Sequence, residues 1–211
     1  MEPGNFMNAV YLLLGSNLGN KEGNLKTACR MLRKFGKIRK QSGIYETEPW
    51  GYEDNRNFFN KAILLDTLLN PFELLTELLK IEISIGRVRQ HKQWVAREID
   101  IDIIFYNNLV IEEENLIIPH PFLNNRKFAL VPIKEIAPSF VHPVAGKTIS
   151  QLYKECKDDS EVELLHLIAS GVRSVIGGNG VHGTVSESSE KHLAVFAAAQ
   201  LVASHVPGWM G

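Results

Sequence analysis

Residues Gly86 to Tyr106 read GRVRQHKQWVAREIDIDIIFY, a basic half followed by an acidic one, and the acidic half leaves little choice of local structure. Glu98, Asp100 and Asp102 alternate with Ile99, Ile101 and Ile103, the pattern of a β-strand with one apolar face. The carboxylates therefore share the other face. Two aspartates at i and i+2 on one face repel, so a fold that keeps both ionised supplies a cation between them. Magnesium suits the position: it takes hard oxygen ligands, usually one or two carboxylates with waters and substrate phosphates. Upstream, Arg87, Arg89, Lys92 and Arg97 surround His91 and Trp94, and the planar fork of arginine matches phosphate oxygens. Metal, arginines and an aromatic together describe a nucleoside triphosphate site. The plainer reading of Asp-x-Asp alone is a half-exposed strand with an acidic polar face. Because like charges repel, removing either aspartate is expected to leave the metal-free fold as stable as before, or more so.

The rest of the chain supplies supports for this strand. Met1 to Phe6 is a polar, disordered lead-in. Ala9 to Leu14 is a continuous apolar run ended by Gly-Ser-Asn, which fits a buried central strand. Asn20 is a helix N-cap, Leu25, Ala28, Leu32 and Phe35 recur at helical spacing with Cys29 packed beside them, and Gly36 ends the helix. The Gly15-Ser16-Asn17-Leu18-Gly19 loop has neither the Walker lysine nor dinucleotide spacing and reads as structural. Two strands follow, Ile38 to Glu48 and Phe58 to Leu68, joined by a lid-like loop from Pro49 to Arg56. Asn60 shares the face of Phe58, Ala62 and Leu64, so its amide needs partners: either local backbone or a planar heterocycle covered by aromatics. Asn70-Pro71-Phe72-Glu73 opens a second helix, with Leu74, Leu75, Leu78, Leu79 and Ile85 on its apolar face and Glu82 at the edge. Beyond the acidic strand, Asn107-Asn108 turns into a short strand at Leu109 to Ile111, and Glu112 to Glu114 reads as a solvated turn. Pro119-His120-Pro121 presents His120 from a rigid loop, and a helix near Phe128 to Ile136 ends before Pro138.

Composition bounds the partners. With 45% apolar and 22% charged residues and a net charge of -1, the global field gives no reason to expect nucleic acid or a membrane surface. Cys29 and Cys156 show no metal-ligand spacing and the N-terminus lacks a secretory pattern, so a reducing cytoplasm is expected. The apolar stretch Leu193 to Ala199 is too short to span a membrane. From His166 to Gly211 only four formal charges occur, with seven of the 16 glycines. That composition predicts a flexible tail with one helix near Lys191 to Ser204, and a division into residues 7–163 and 164–211.

Several separated motifs carry a family resemblance: GSNLGN (Gly15 to Asn20), YETEPWG (Tyr45 to Gly51), FFNKA (Phe58 to Ala62), GRVR (Gly86 to Arg89), WVAREIDIDII (Trp94 to Ile104) and PHPFLNNRKF (Pro119 to Phe128). In this order they resemble the hydroxymethyldihydropterin pyrophosphokinases of folate biosynthesis, over about Ala9 to Ser160. The resemblance implies transfer of diphosphate from ATP to 6-hydroxymethyl-7,8-dihydropterin, giving AMP. It implies two Mg2+ ions on Asp100 and Asp102, catalytic roles for Arg87 and Arg97, and a nucleotide site of Glu82, Arg89, Trp94, Arg97, His120 and Arg126. Around the pterin it places Thr47, Trp50, Phe58, Asn60 and Phe128. A monomer is expected whose product passes to dihydropteroate synthase. Gln93 stands where the family usually has a basic residue, and Val95 where it usually has Gly or Ala, which bears on ATP affinity and loop motion.

Strand, helix, strand, strand, helix, strand is the order of a ferredoxin-like α+β domain, an antiparallel sheet with helices packed on it. RNA-recognition modules share that order but carry a basic aromatic strand where this chain has an acidic one. An Asp-x-Asp nucleotide-sugar transferase is disfavoured by the short chain.

Overall fold

The computed structural model describes residues 7–48, 56–86, 98–167 and 173–174. Strand β1 (Asn8–Ser16) runs into helix α1 (Lys21–Leu32), then β2 (Gly36–Gln41), β3 (Tyr45–Thr47) and β4 (Phe58–Thr67). Helix α2 (Pro71–Ile85) precedes β5 (Asp100–Tyr106). These pair antiparallel in the order β5-β1-β4, with β2 and β3 sharing the far side of β4. That is the ferredoxin-like arrangement the element order predicts. A hairpin of β6 (Ile111–Glu113) and β7 (Leu116–Ile118), helices α3 (Lys127–Ile136) and α4 (Ile149–Glu155), and strand β8 (Val162–Leu164) on the outer edge of β3 complete the layers. Short strands β9 (His166–Leu167) and β10 (Arg173–Ser174) pair with each other.

Two cores result, one on each face of the sheet. Val10, Leu12, Leu14, Phe59, Ile63, Leu65, Ile101 and Ile103 pack against α1 and α2, with Cys29 buried among them as expected of a packing thiol. Leu13, Ala62, Leu64, Ile104 and Phe105 pack against α3 and α4. Residues of β5 up to Ile103 obey the alternation read from sequence. A register shift between Tyr11 and Leu12 then inserts one residue into β5, so Ile104 and Phe105 both join the α3 core while Tyr106 returns to the other. The extra residue is a β-bulge.

Helix starts follow their caps. The Asn20 side chain accepts from Gly23 N–H, and Asn70 forms a full capping box with Glu73. Some boundaries differ from expectation. Gly36 does not end α1, which closes at Leu32; it begins β2, where a Cβ would lie 2.0 Å from the Asp66 carbonyl oxygen. Glycine is there for a backbone crossing. The expected strand from Ile38 to Glu48 is broken at Ser42-Gly43, where the Ser42 hydroxyl accepts the Ala62 N–H (2.9 Å) in place of a strand partner. Leu109 lies in the turn, and Glu112 and Glu113 belong to β6 instead of a turn. Helix α4, whose Thr148 and Gln151 form a second capping box, is an addition to the elements expected from sequence. The boundary expected after residue 163 falls inside β8. The lid-like loop, save Arg56, and the expected tail helix lie outside the described residues.

Candidate active site

One register row crosses four strands: Asp100 of β5 faces Gly15 of β1, Gly15 faces Asn60 of β4, and Asn60 faces Tyr45 of β3. Directly opposed residues point to the same side of a sheet, here the side that carries α3. Neighbouring strands are about 4.8 Å apart, so the acidic and amide ends of the row lie about 10 Å from each other with only a glycine between. Gly15 is a bare floor: a Cβ there would come 3.4 Å from Asn60 Oδ1. By sequence Gly15 belongs to a turn; its position opposite two functional candidates is visible only once the strands are paired.

At the amide end Asn60 is buried, 3% exposed, and donates through Nδ2 to Thr47 Oγ1 at 2.8 Å. Thr47 pairs with Phe58, so three of the expected pterin residues meet on adjoining strands. At the acidic end Asp100 and Asp102 are half-buried on one face. The start of their strand is pinned from below: Ser16 Oγ and Asn24 Nδ2 both donate to the Glu98 carbonyl, at 2.5 and 2.8 Å. Ser16 of the Gly-Ser-Asn loop, with Asn24 of α1, thus helps to fix where β5 begins. From α2, buried Glu82 accepts the Ile101 N–H at 2.8 Å, between the two aspartates. Among the described residues β5 pairs with β1 on one side only, so Glu82 supplies a bond that no described strand supplies. The expectation put Glu82 at the nucleotide; this bond joins it to the strand that carries the aspartates.

The His120 N–H donates to the Ile104 carbonyl at the bulge (3.1 Å), and so the Pro-His-Pro loop lies along β5. His120 Nδ1 accepts a long bond from Phe122 N–H (3.4 Å), leaving Nε2 to carry the proton. Burial first, and then the Arg126 guanidinium, push its pKa down to about 3, with Asp100 opposing. It is a neutral donor. Arg126, buried at the N-cap of α3, stacks on Phe122 (4.9 Å) and Phe128 (5.7 Å). Burial lowers its pKa, while Asp102, Asp100 and Asp158, in that order, hold it up. The fold therefore places its own cation in the field of the aspartate pair. Against the expectation that deleting an aspartate relieves repulsion stands a second effect, since deletion also strips a buried guanidinium of compensation.

Asp100, Asp102, His120 and Arg126 are thus brought together, with the Phe128 ring beside Arg126. Arg87, Arg89, Trp94, Arg97 and Trp50 lie outside the described residues. Among the described residues no three His, Cys, Asp or Glu side chains converge as a closed metal cage. Two half-buried carboxylates on one strand face instead fit magnesium, which draws its remaining ligands from water and substrate phosphate.

The profile of the 7,8-dihydro-6-hydroxymethylpterin-pyrophosphokinase (HPPK) family matches residues 11–138, which includes every described residue of this site. The chain belongs to the HPPK family. A 2-amino-4-hydroxy-6-hydroxymethyldihydropteridine pyrophosphokinase of Aquifex aeolicus is 41% identical over 149 residues, 71% of this chain and 92% of that protein. The Bacillus subtilis enzyme of the same name is 44% identical over 131 residues, 61% of this chain and 78% of its own. Among solved structures, the wild-type HPPK-DHPS of Plasmodium falciparum with pteroate superposes with a TM-score of 0.64 at 18% identity, over 83% of this chain and 49% of that one. At that identity the likeness concerns the fold, and this chain spans about half of that larger protein.

Proposed function

We infer that this HPPK-family chain transfers diphosphate from ATP to the hydroxymethyl group of 6-hydroxymethyl-7,8-dihydropterin, releasing AMP. The observation that carries the reading is the row in which a carboxylate pair and a buried amide share one sheet face across a bare glycine. Asn60 and Thr47 hold the edge of the pterin, and Phe58, Phe128 and Trp50 cover its faces. The heterocycle then extends over Gly15 with its hydroxymethyl group towards Asp100. ATP lies along the acidic end, with Arg126, Arg89 and the neutral His120 as donors to its phosphates and Glu82 steadying the strand beneath. Arg87 and Arg97 carry the charge that develops at the transferring phosphorus, with Trp94 against the nucleotide. Asp100 and Asp102 would hold magnesium, two ions by resemblance, and magnesium when bound neutralises phosphate charge. The new bond joins the hydroxymethyl oxygen to the β-phosphorus, and the bond from that phosphorus to the oxygen of AMP breaks. The product is handed to dihydropteroate synthase, and the enzyme works as a cytoplasmic monomer. No helix among the described residues is long and apolar enough to cross a membrane.

Incubation with ATP, magnesium and the pterin alcohol is expected to yield AMP and the pterin diphosphate in equal amounts. ADP with a pterin monophosphate would instead mean attack at the γ-phosphorus, and the reading fails.

A further inference from the structure

Helix α3 begins without a cap of its own. Its N-cap residue is Arg126, whose side chain makes no capping bond. The first helical N–H, that of Lys127, is taken instead by Asp158 Oδ2 at 2.7 Å, from a residue 31 positions later and outside the stretch matched by the family. Asp158 is itself fixed, since its Oδ1 accepts the Ser160 N–H at 3.0 Å. Lys127 sits between two residues assigned to different substrates, Arg126 to the ATP phosphates and Phe128 to the pterin face. Their side chains also touch, the guanidinium lying 5.7 Å over the Phe128 ring.

We propose that Asp158 is a positioning residue for both substrate subsites, holding by one charge-assisted bond the backbone from which Arg126 and Phe128 project. A carboxylate at a helix start is stabilised by the unpaired N–H groups and the helix dipole, so the bond favours one orientation of the first turn. The same carboxylate is one of three whose charge supports buried Arg126, after Asp102 and Asp100. Unlike those two, Asp158 touches neither transferring group nor metal in the proposed reaction. Its effect passes through the backbone of Lys127 and through its charge on Arg126.

The inference rests on the substrate roles given above to Arg126 and Phe128, and the test separates the two. Asp158→Ala, Asp158→Asn and Arg126→Ala are prepared in the full chain, melted, and assayed for KM towards ATP and towards the pterin. Loss of a helix cap corresponds to about 1 kcal/mol, so Asp158→Ala is expected to raise both KM values by up to about fivefold while kcat changes less. Asp158→Asn keeps an oxygen acceptor for the Lys127 N–H and is expected to recover most of the pterin KM, with ATP recovering less because a charge is gone. A purely structural aspartate would lower the melting temperature with both KM values unchanged, and that result overturns the proposal. If Asp158→Ala leaves KM alone while Arg126→Ala raises it for ATP, only the positioning role falls. If Arg126→Ala also leaves the ATP KM unchanged, the subsite assignment beneath it falls as well.

Discussion

Asp102 and Asp100 share their face with a buried guanidinium, and this decides how their removal acts on stability. Arg126 is 8% exposed, and Asp102 heads the charges that oppose its desolvation. Losing a half-buried carboxylate that compensates a buried guanidinium costs on the order of 1–3 kcal/mol, above the relief of repulsion between two half-buried carboxylates. Asp102→Ala is therefore expected to melt below the wild type without metal, and Asp100→Ala to fall less; equal or higher melting temperatures for both would remove Arg126 from the pair. A second residue-scale expectation concerns acid. The buried His142 ring accepts two backbone N–H groups through Nδ1, from Val144 (3.2 Å) and Ala145 (3.1 Å), and burial lowers its pKa below the ordinary value. An acceptor nitrogen must be neutral. Below about pH 6.5 the unfolded chain takes up this proton before the folded one does, so stability is complete above that pH and falls as pH drops. His120, whose folded pKa is near 3, acts in the same direction. His142→Asn keeps an acceptor but cannot titrate, and it is expected to flatten the loss by up to about 1.4 kcal/mol per pH unit; an unchanged slope between pH 6.5 and 5 would show that His142 does not contribute.

At the scale of elements, the acidic strand is held by bonds that its own pattern does not announce. Glu82 reaches it from α2, and Ser16 and Asn24 reach Glu98 from the end of β1 and the first turns of α1. Glu82→Ala leaves the Ile101 N–H without its acceptor at a buried site, a cost of about 1–3 kcal/mol, whereas Glu82→Gln keeps an oxygen there. The expected order of melting temperatures is wild type, then Gln, then Ala, with turnover following the same order because the bond lies between Asp100 and Asp102. An Ala variant as stable as the Gln variant would deny the bond any weight. These elements also show what is legible in the chain. Asn20 and Asn70 are readable as caps because a cap is local, and the alternation of Asp100 to Ile103 is readable because a pleat has period two. Gly36 reads wrongly as a helix stop because glycine serves both at helix ends and where another backbone crosses closely, and only the second chain segment tells them apart. The bulge at Ile104, the floor at Gly15 and the cap from Asp158 each depend on a partner distant in sequence, and no local pattern carries that information.

For the whole molecule, the sheet extends past the motifs that suggest it. Val162 to Leu164 pair with Tyr45 to Thr47, and the Leu165 N–H donates to the Ile44 carbonyl at 2.9 Å. β8 thus covers the outer edge of the strand that carries Thr47. A chain ended after Val162, one residue short of the division that composition predicts, is expected to melt lower and to bind pterin more weakly, while one ended after Ser174 keeps both properties. Loss in the longer of these two chains as well would make the remaining segment part of the working domain. The ferredoxin-like order is readable because each element is announced by its own period and punctuation; the layer formed by α3, α4 and β8 is less so, because its packing is settled by the sheet it covers. That layer brings Arg126 to the aspartates, so the proposed transfer centre belongs to the assembled fold and not to one motif. Turnover of purified Asp102→Ala at saturating magnesium, read as AMP formed from ATP and the pterin alcohol, tests this most directly. Loss of a transition-state interaction of about 3 kcal/mol or more predicts a fall of at least a hundredfold that added magnesium does not restore. Wild-type turnover in that variant would contradict the account, since the face of β5 would then be an acidic strand surface and the chemistry would lie elsewhere.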